Sequence, residues 1–322
     1  MSPDLVDRLL NGDRRALGKL MTLVDDGTLE GKQAIVRLFP KTGRAHIIGI
    51  TGSPGVGKSS LINGLVRKFR EQKKTVGIVA VDPSSPFSGG ALLGDRIRMQ
   101  DHFTDEGVFI RSLGSRGSLG GLSKSVNNIV MLLDAFGRDF IIVETVGAGQ
   151  VEVDIVKVAH TVLVVMSPGY GDIIQMLKAG IIEIGDIFVI NKSDLEGAHR
   201  VVEGLMSVLE YNQDKKGWKP PIIETVAITN QGIAELDDAV LRHMEYLQQS
   251  GLLKERESRR VEDEIIKLVN DQVYEKIVEG GSEEDDLKTI VSKVLSKQLD
   301  PYSAAEKLVT KLGMLHRERS HR

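Results

Sequence analysis

The chain contains no cysteine. That excludes disulfides and thiolate metal sites, and it is compatible with a reducing, cytoplasmic setting. No apolar run is long enough to cross a bilayer. The opening Met1-Ser2-Pro3-Asp4 lacks the basic-then-apolar pattern of a secretory signal, so no membrane role is expected. An excess of basic charge is also missing. The 42 Lys and Arg are matched by 45 Asp and Glu, for a net charge of -3, and they are scattered, so no nucleic-acid surface is expected. The seven histidines are dispersed, which argues against a dedicated transition-metal store. No internal repeat or low-complexity segment is visible. What remains is an ordinary globular composition, 41% hydrophobic and 27% charged over 322 residues. That is enough for one large α/β domain with helical additions.

One stretch organises this chain: Gly52-Ser53-Pro54-Gly55-Val56-Gly57-Lys58-Ser59. An apolar run, His46 to Ile50, precedes it and a helix-like run, Ser60 to Arg70, follows. Strand, glycine-rich loop and helix in that order are what a phosphate-binding loop requires. The glycines allow consecutive N–H groups to turn inward around an anion, and the helix N-terminus adds partial positive charge. Lys58 is placed to reach the β- and γ-phosphates, and the Ser59 hydroxyl to ligate Mg²⁺.

The remaining strands are expected at Thr75–Val81, Val108–Leu113, Phe140–Val143, Val162–Met166, Asp186–Ile190 and Pro220–Val226. Several end in residues suited to a nucleotide. Asp82 follows the second strand at the edge where ligands bind. It is a candidate Mg²⁺-shell or water-positioning carboxylate, the competing reading being a turn-forming Asp-Pro. The glycine-bearing 87–99 segment is a candidate switch, with Asp95 and Arg98 near a γ-phosphate or paired on a surface helix. A second glycine-rich stretch covers 114–121. The fourth strand runs into Glu144-Thr145-Val146-Gly147. There Glu144 would bind Mg²⁺ through water or polarise the attacking water, and the Gly147 N–H would sense the γ-phosphate. Gln150 is a water-orienting or a helix-start residue.

The sixth strand delivers Asn191-Lys192-Ser193-Asp194, a guanine-reading pattern. Two carboxylate oxygens of Asp194 match the N1–H and N2 amine of guanine. Adenine offers no such pair, so ATP would leave a carboxylate unpaired. Asn191 would tie this loop to the phosphate loop, the Lys192 stem would cover the base, and a backbone N–H at Val226 or Ala227 would meet guanine O6.

Residues 4–39 read as helices, broken at Asn11-Gly12-Asp13, forming a lid on the core. Ser123–Phe136, Ile173–Glu183 and Gln231–Gln249 are further helices. From Leu252 the chain becomes highly charged, with apolar positions at Val261, Ile265, Leu268, Val269, Val273 and Ile277 marking an amphipathic helix. Gly280-Gly281 breaks it, and Asp286–Leu299 and Pro301–Leu312 follow. The expected organisation is therefore an N-terminal helical extension at 1–43, a P-loop domain at 44–250 and a helical arm at 251–322 suited to dimerisation. The expected fold is α/β, a mostly parallel, doubly wound sheet with the nucleotide at the strands' C-terminal edge.

Taken together, these residues resemble the MeaB/ArgK group of P-loop GTPases, which includes the human methylmalonic aciduria type A protein. The resemblance rests on Gly-Asp-Arg-Arg-Ala-Leu at 12–17, the phosphate loop at 52–59 and Val-Asp-Pro-Ser-Ser-Pro-Phe at 81–87. Gly-Asp-Arg-Ile-Arg-Met at 94–99, Glu-Thr-Val-Gly at 144–147 and Asn-Lys-Ser-Asp at 191–194 complete it. It runs from about residue 4 to residue 250, and the C-terminal helices match in character only. The resemblance implies a homodimeric, Mg²⁺-dependent GTPase that binds GTP and GDP. Such a protein chaperones adenosylcobalamin-dependent methylmalonyl-CoA mutase through cofactor loading and protection. By matched motif, Gly52 through Ser60 with Gly147 hold phosphate. Ser59, Asp82, Asp95 and Glu144 line the metal, with Lys58 and the three acids as catalytic candidates. Asn191, Lys192, Asp194, Val226 and Ala227 hold the base. Asp172, Gln175 and Lys178 match a partner-responsive loop. Two positions depart from the family pattern, Ala148 in the Gly-x-Gly-Gln run and Ile173 after Asp172. No arginine finger is obvious among Arg96, Arg98, Arg111 and Arg116, so turnover is expected to be slow without a partner. The other readings are a nickel-insertion GTPase metallochaperone, opposed by the lack of cysteine and clustered histidine, and an ATPase or kinase of basic amino-acid transport, opposed by Asp194.

Overall fold

Short, nearly continuous apolar runs such as His46–Thr51 and Thr161–Met166 have no polar face to offer water, so they are stable only as strands covered on both sides. The computed structural model describes residues 4–82, 102–114, 124–145, 151–169, 180–211, 217–279 and 287–311. It assembles seven such strands into one sheet in the order β3-β2-β4-β1-β5-β6-β7. They are β1 (His46–Thr51), β2 (Val76–Asp82), β3 (Val108–Gly114), β4 (Phe140–Thr145), β5 (Thr161–Met166), β6 (Ile187–Asn191) and β7 (Ile222–Thr225). Every pairing is parallel.

Alternate residues of each strand feed two apolar layers. One holds Ile48, Ile50, Ile142 and Val165 against α4 (Lys58–Glu71) and Ile233, Leu236 and Val240 of a later helix. The other holds Ile47, Val143 and Val164 against α1 (Leu5–Leu10), α2 (Arg14–Asp25), α3 (Leu29–Leu38) and α5 (Lys124–Ala135). The sheet is thus doubly wound. The N-terminal helices are stopped and started by their own side chains: Asp4, Asp13 and Thr28 cap α1, α2 and α3 by accepting first-turn N–H groups. Leu9, Leu17, Leu20 and Met21 bury their stripe. The approach to β1 is fixed by the Asp134 carboxylate of α5, which accepts N–H groups from Gly43 at 2.5 Å, Arg44 at 3.1 Å and Ala45 at 3.0 Å.

The strand ends differ from expectation in ways that matter for the site. β4 continues through Glu144 and Thr145, because Glu144 keeps its ladder places beside Ile50 and Ala80. β7 stops at Thr225, because Val226 leaves the ladder to bridge Gln231. Four further helices follow within residues 151–249: α6 (Val151–Asp154), α7 (Ile181–Ile184), α8 (Ala198–Tyr211) and α9 (Ile233–Gln249). α6 and α8 were not anticipated. The signal for α8 is Val202 and Leu205, three residues apart and buried on one face.

The chain divides into two compact units, residues 1–253 and 254–322. Most of the second is α10 (Leu252–Glu279), α11 (Leu287–Leu295) and α12 (Pro301–Lys311). α10 is 28 residues long and leaves Val261, Ile265 and Val269 about half exposed, at 45%, 55% and 50%. No helix among the described residues is long and apolar enough to cross a membrane.

Asp237 of α9 is buried, accepts from Gln72 Nε2 at 2.6 Å through Oδ2, and gives Oδ1 no hydrogen-bond partner. Burial raises its pKa. A raised folded-state pKa means that the stabilising contribution is complete below the ordinary carboxylate range and is lost as pH rises through the folded value. We therefore expect Asp237→Asn, followed by thermal melting, to raise Tm by a few degrees near pH 7, as recovery of ~1 kcal/mol would in a domain of this size. The gain should shrink towards zero below about pH 4, where the aspartate is already neutral.

Candidate functional site

The strand order reverses direction around β1, which lies between β4 and β5. The C-terminal ends of β1, β4, β5 and β6 therefore open one crevice, the place where open parallel sheets bind ligands. The 52–57 loop crosses it from β1 to α4. Gly52 sits at φ +141°, and a Cβ there would lie 2.1 Å from the Val165 carbonyl oxygen. Gly57 sits at φ +94°, and its Cβ would lie 2.3 Å from Asn191 Nδ2. Both positions demand glycine, for conformation and for room. No side chain caps α4 at Gly57, so its first-turn N–H groups, those of Lys58, Ser59 and Ser60, are left for an anion.

The loop's carbonyl groups are turned away from that anion position by side chains. Lys58 Nζ donates to Gly52 O at 2.5 Å and Ser53 O at 3.1 Å. Lys192 Nζ donates to Gly55 O at 2.8 Å, and Asn191 Nδ2 donates to Val56 O at 2.8 Å. With four carbonyls held this way, the loop is shaped for an anion through its own chain. Pro54 and Gly55 form its exposed tip, whereas Val56 is buried beneath it.

Ser59 and Glu144 meet inside the crevice. The Ser59 hydroxyl donates to Glu144 Oε1 at 3.1 Å, and both residues are buried. A hydroxyl beside a buried carboxylate is a hard-oxygen donor set, and it suits Mg²⁺ far better than a soft metal. Asp82 ends β2 opposite Gly114 of β3, on the same edge of the sheet. Asp95, Gly147 and Gln150 lie outside the described residues, as do Arg96, Arg98, Arg116, Asp172, Gln175 and Lys178. Arg111 lies on β3, where its guanidinium donates to Thr22 Oγ1 at 3.3 Å.

On the other side of the loop, Asn191 ends β6 and is 2% exposed. Its Oδ1 accepts from Thr225 Oγ1 at 3.1 Å and from the Ala227 N–H at 3.1 Å. One amide side chain therefore joins three segments: the phosphate loop, the 191–194 loop and the turn after β7. Lys192 takes a left-handed backbone, φ +58°, which turns the chain so that the Ser193 N–H reaches Thr225 O at 3.1 Å. The Asp194 residue is exposed at the crevice mouth. Of the two amides reserved for a base oxygen, that of Val226 is spent on Gln231 O at 3.0 Å. That of Ala227 points to Asn191, so it is the one positioned beside the base-loop residues. Thr225 was not singled out from the sequence as a side-chain contributor; its hydroxyl is recognisable only once β6 and β7 are paired, with Asn191 opposite Thr225.

Comparison with known proteins agrees with this geometry. A family model described as methylmalonyl Co-A mutase-associated GTPase MeaB matches residues 17–282. A Pyrococcus horikoshii protein named as a GTPase is 51% identical over 312 residues, spanning 96% of this chain and 98% of the relative. The GTPase ArgK of Escherichia coli is 34% identical over 268 residues, 80% of each chain. The mouse methylmalonic aciduria type A homolog, a mitochondrial protein, is 32% identical over 273 residues, 84% of this chain and 66% of the relative. A crystal structure of a LAO/AO transport system kinase shares the fold, with a TM-score of 0.71 at 24% identity over 96% of both chains.

A methyl group at Gly57 has nowhere to go except into the Asn191 amide. Gly57→Ala should therefore weaken guanine-nucleotide binding by about tenfold or more while leaving the circular dichroism spectrum of the sheet unchanged, because it costs an unmade buried hydrogen bond and a strained φ. Equilibrium titration with a fluorescent GDP checks this; unchanged affinity would contradict the close approach.

Proposed function

The chain belongs to the MeaB family of P-loop GTPases, and from that premise we propose that it assists an adenosylcobalamin-dependent methylmalonyl-CoA mutase, coupling GTP hydrolysis to cofactor loading and protection. Its enzymatic activity is hydrolysis of GTP to GDP and phosphate. The observation that carries the nucleotide half of this reading is the bond set around Asn191, which joins a phosphate-binding loop to a guanine-reading loop. The family match carries the partner half. A cytoplasmic location fits the absence of cysteine.

In the bound state, N–H groups of the 52–60 loop and the start of α4 take the β- and γ-phosphate oxygens, and Lys58 exchanges its two loop carbonyls for them. Ser59 and Glu144, with Asp82 and Asp95, are the residues to hold Mg²⁺. When bound, that ion neutralises charge developing on the transferred phosphoryl group. Glu144 orients the attacking water directly or through its hydrogen bonds, and the Gly147 N–H registers the γ-phosphate. Asp194 accepts from guanine N1–H and N2, the Lys192 stem covers the base face, and Ala227 offers its N–H to O6. Hydrolysis by the isolated protein is slow, since Arg111 is engaged at Thr22, and a partner that orders the site raises the rate.

Hydrolysis of GTP and ATP, with and without the mutase, tests this reading. Wild-type protein should prefer GTP, and Asp194→Ala should reduce that preference by roughly a hundredfold or more, since a site built to hydrogen-bond a polar edge discriminates strongly. Acceleration by the mutase supports the partner. GTP preference without acceleration removes the partner and keeps the site, whereas equal use of ATP by the wild type overturns base recognition.

The exposed stripe Val261, Ile265 and Val269 on α10 repeats every four residues, the pattern of a helix that buries one face against another. We assign it to a homodimer contact. Ile265→Glu combined with Val269→Glu should convert a dimer to a monomer in light scattering while GTP hydrolysis without the mutase persists. A wild-type monomer, or a dimer indifferent to both changes, would remove the assignment.

A further inference from the structure

Two threonines occupy a place in the apolar layer where valine would fit. Thr51 is the last residue of β1 and Thr145 the last of β4. Both have no exposed surface. β1 and β4 are ladder neighbours with Ile50 opposite Glu144, so these threonines form the next rung. Thr145 Oγ1 donates to Thr51 Oγ1 at 3.2 Å, with Ile50 O at 3.5 Å as a second, longer acceptor. By strand alternation the pair lies on the face of Ile47 and Val143, opposite the face on which Ser59 meets Glu144. Burying a hydroxyl costs free energy that a methyl group of the same shape would not. A packing role alone therefore does not account for two of them side by side.

Their position in the chain does. Thr51 is followed by Gly52, whose carbonyl holds Lys58 Nζ at 2.5 Å. Gly52 has no freedom towards β5, because even a Cβ would lie 2.1 Å from Val165 O. Thr145 is followed directly by the 146–150 stretch read above as the γ-phosphate sensor. We propose that the Thr145–Thr51 hydroxyl pair is a positioning element that couples the segment after β4 to the phosphate loop, so that the presence of a γ-phosphate is felt at Gly52 and Lys58. Displacement at Thr145 pulls on Thr51. Because β5 blocks Gly52 on the far side, the displacement is passed along the loop to the lysine anchor instead of being absorbed. This coupling rests on the reading of 146–150 as the sensor.

The test compares wild type with Thr51→Val, Thr145→Val, the double variant, Thr51→Ser and Thr145→Ser. It measures affinity for GDP and for a non-hydrolysable GTP analogue, single-turnover GTP hydrolysis and thermal melting. We expect each valine variant to narrow the ratio of analogue to GDP affinity by roughly threefold to tenfold, with GDP affinity itself held within about twofold. The double variant should be no worse than either single one, as expected of two groups acting through one bond. Both serine variants should keep the wild-type ratio, because they keep the hydroxyls. Valine variants with a wild-type ratio and hydrolysis rate, or single effects that add in the double variant, would overturn the coupling alone. Serine variants that lose the ratio would assign the effect to methyl packing and overturn it too; they serve as the deciding pair if a valine variant shows no cooperative melting. A wild type that binds the analogue and GDP alike would overturn the sensor reading together with the coupling.

Discussion

The hydrogen bond from Asn191 Nδ2 to the Val56 carbonyl, 2.8 Å long and buried, is the constraint around which this site is arranged. A net hydrogen bond contributes only about 1 kcal/mol, but separating a buried amide from its partner costs roughly 1–3 kcal/mol. The bond therefore acts less as glue than as a penalty on every arrangement in which the phosphate loop and β6 part. It also explains the composition around it. Gly57 has to lack a Cβ because the amide nitrogen occupies that space. Thr225 and Ala227 are held because the other end of the same amide needs donors. Three segments separated by more than a hundred residues of sequence are thus brought to one point by one side chain.

That arrangement depends on the strands being immobile beneath it. Their apolar alternation buries both faces of the sheet, and the opposite edge is fastened by polar groups. His46, at the start of β1, meets Thr161 Oγ1 at 2.8 Å, and Thr161 meets His243 Nδ1 of α9 at 2.9 Å. Asp186, which leads into β6, accepts the Val162 N–H through Oδ2 at 2.9 Å. The Trp218 indole closes the group by donating to Asp186 O at 2.9 Å. One edge of the sheet is cross-linked side to side, and the other carries the loops. Binding energy spent at the loops is then not lost in sliding one strand against its neighbour.

The parts of this molecule that could be read from the sequence are those encoded locally. An apolar run followed by Gly-x-x-x-x-Gly-Lys-Ser and a helical period is self-contained information, and β1, the loop and α4 lie where that information puts them. The same holds for most strands, since their two-sided burial writes itself as unbroken Val and Ile. Three kinds of feature escaped. Helix α8 was missed because its stripe starts in a region of glycine, charge and turn residues. The extension of β4 through Glu144 and Thr145 was missed because a charged residue conventionally ends a buried strand, whereas here Ser59 accompanies the carboxylate. The Thr51–Thr145 and His46–Thr161–His243 contacts join residues 82 to 115 positions apart, and nothing local marks them.

The same long-range bonds decide which parts of the site can vary independently. Asn191 gives its donor to the phosphate loop and its acceptor to the 225–227 turn, so a change there disturbs base and phosphate positions together. Asp194 stands outside that bond set, exposed at the crevice mouth. Its carboxylate can select a base without moving the loop that holds the phosphates. Lys58 is intermediate: its bonds to Gly52 and Ser53 support the loop while the lysine waits, and they are given up when phosphate oxygens replace the carbonyls. Base choice, loop shape and phosphate charge are therefore handled by three different side chains, and only Asn191 belongs to both halves of the site.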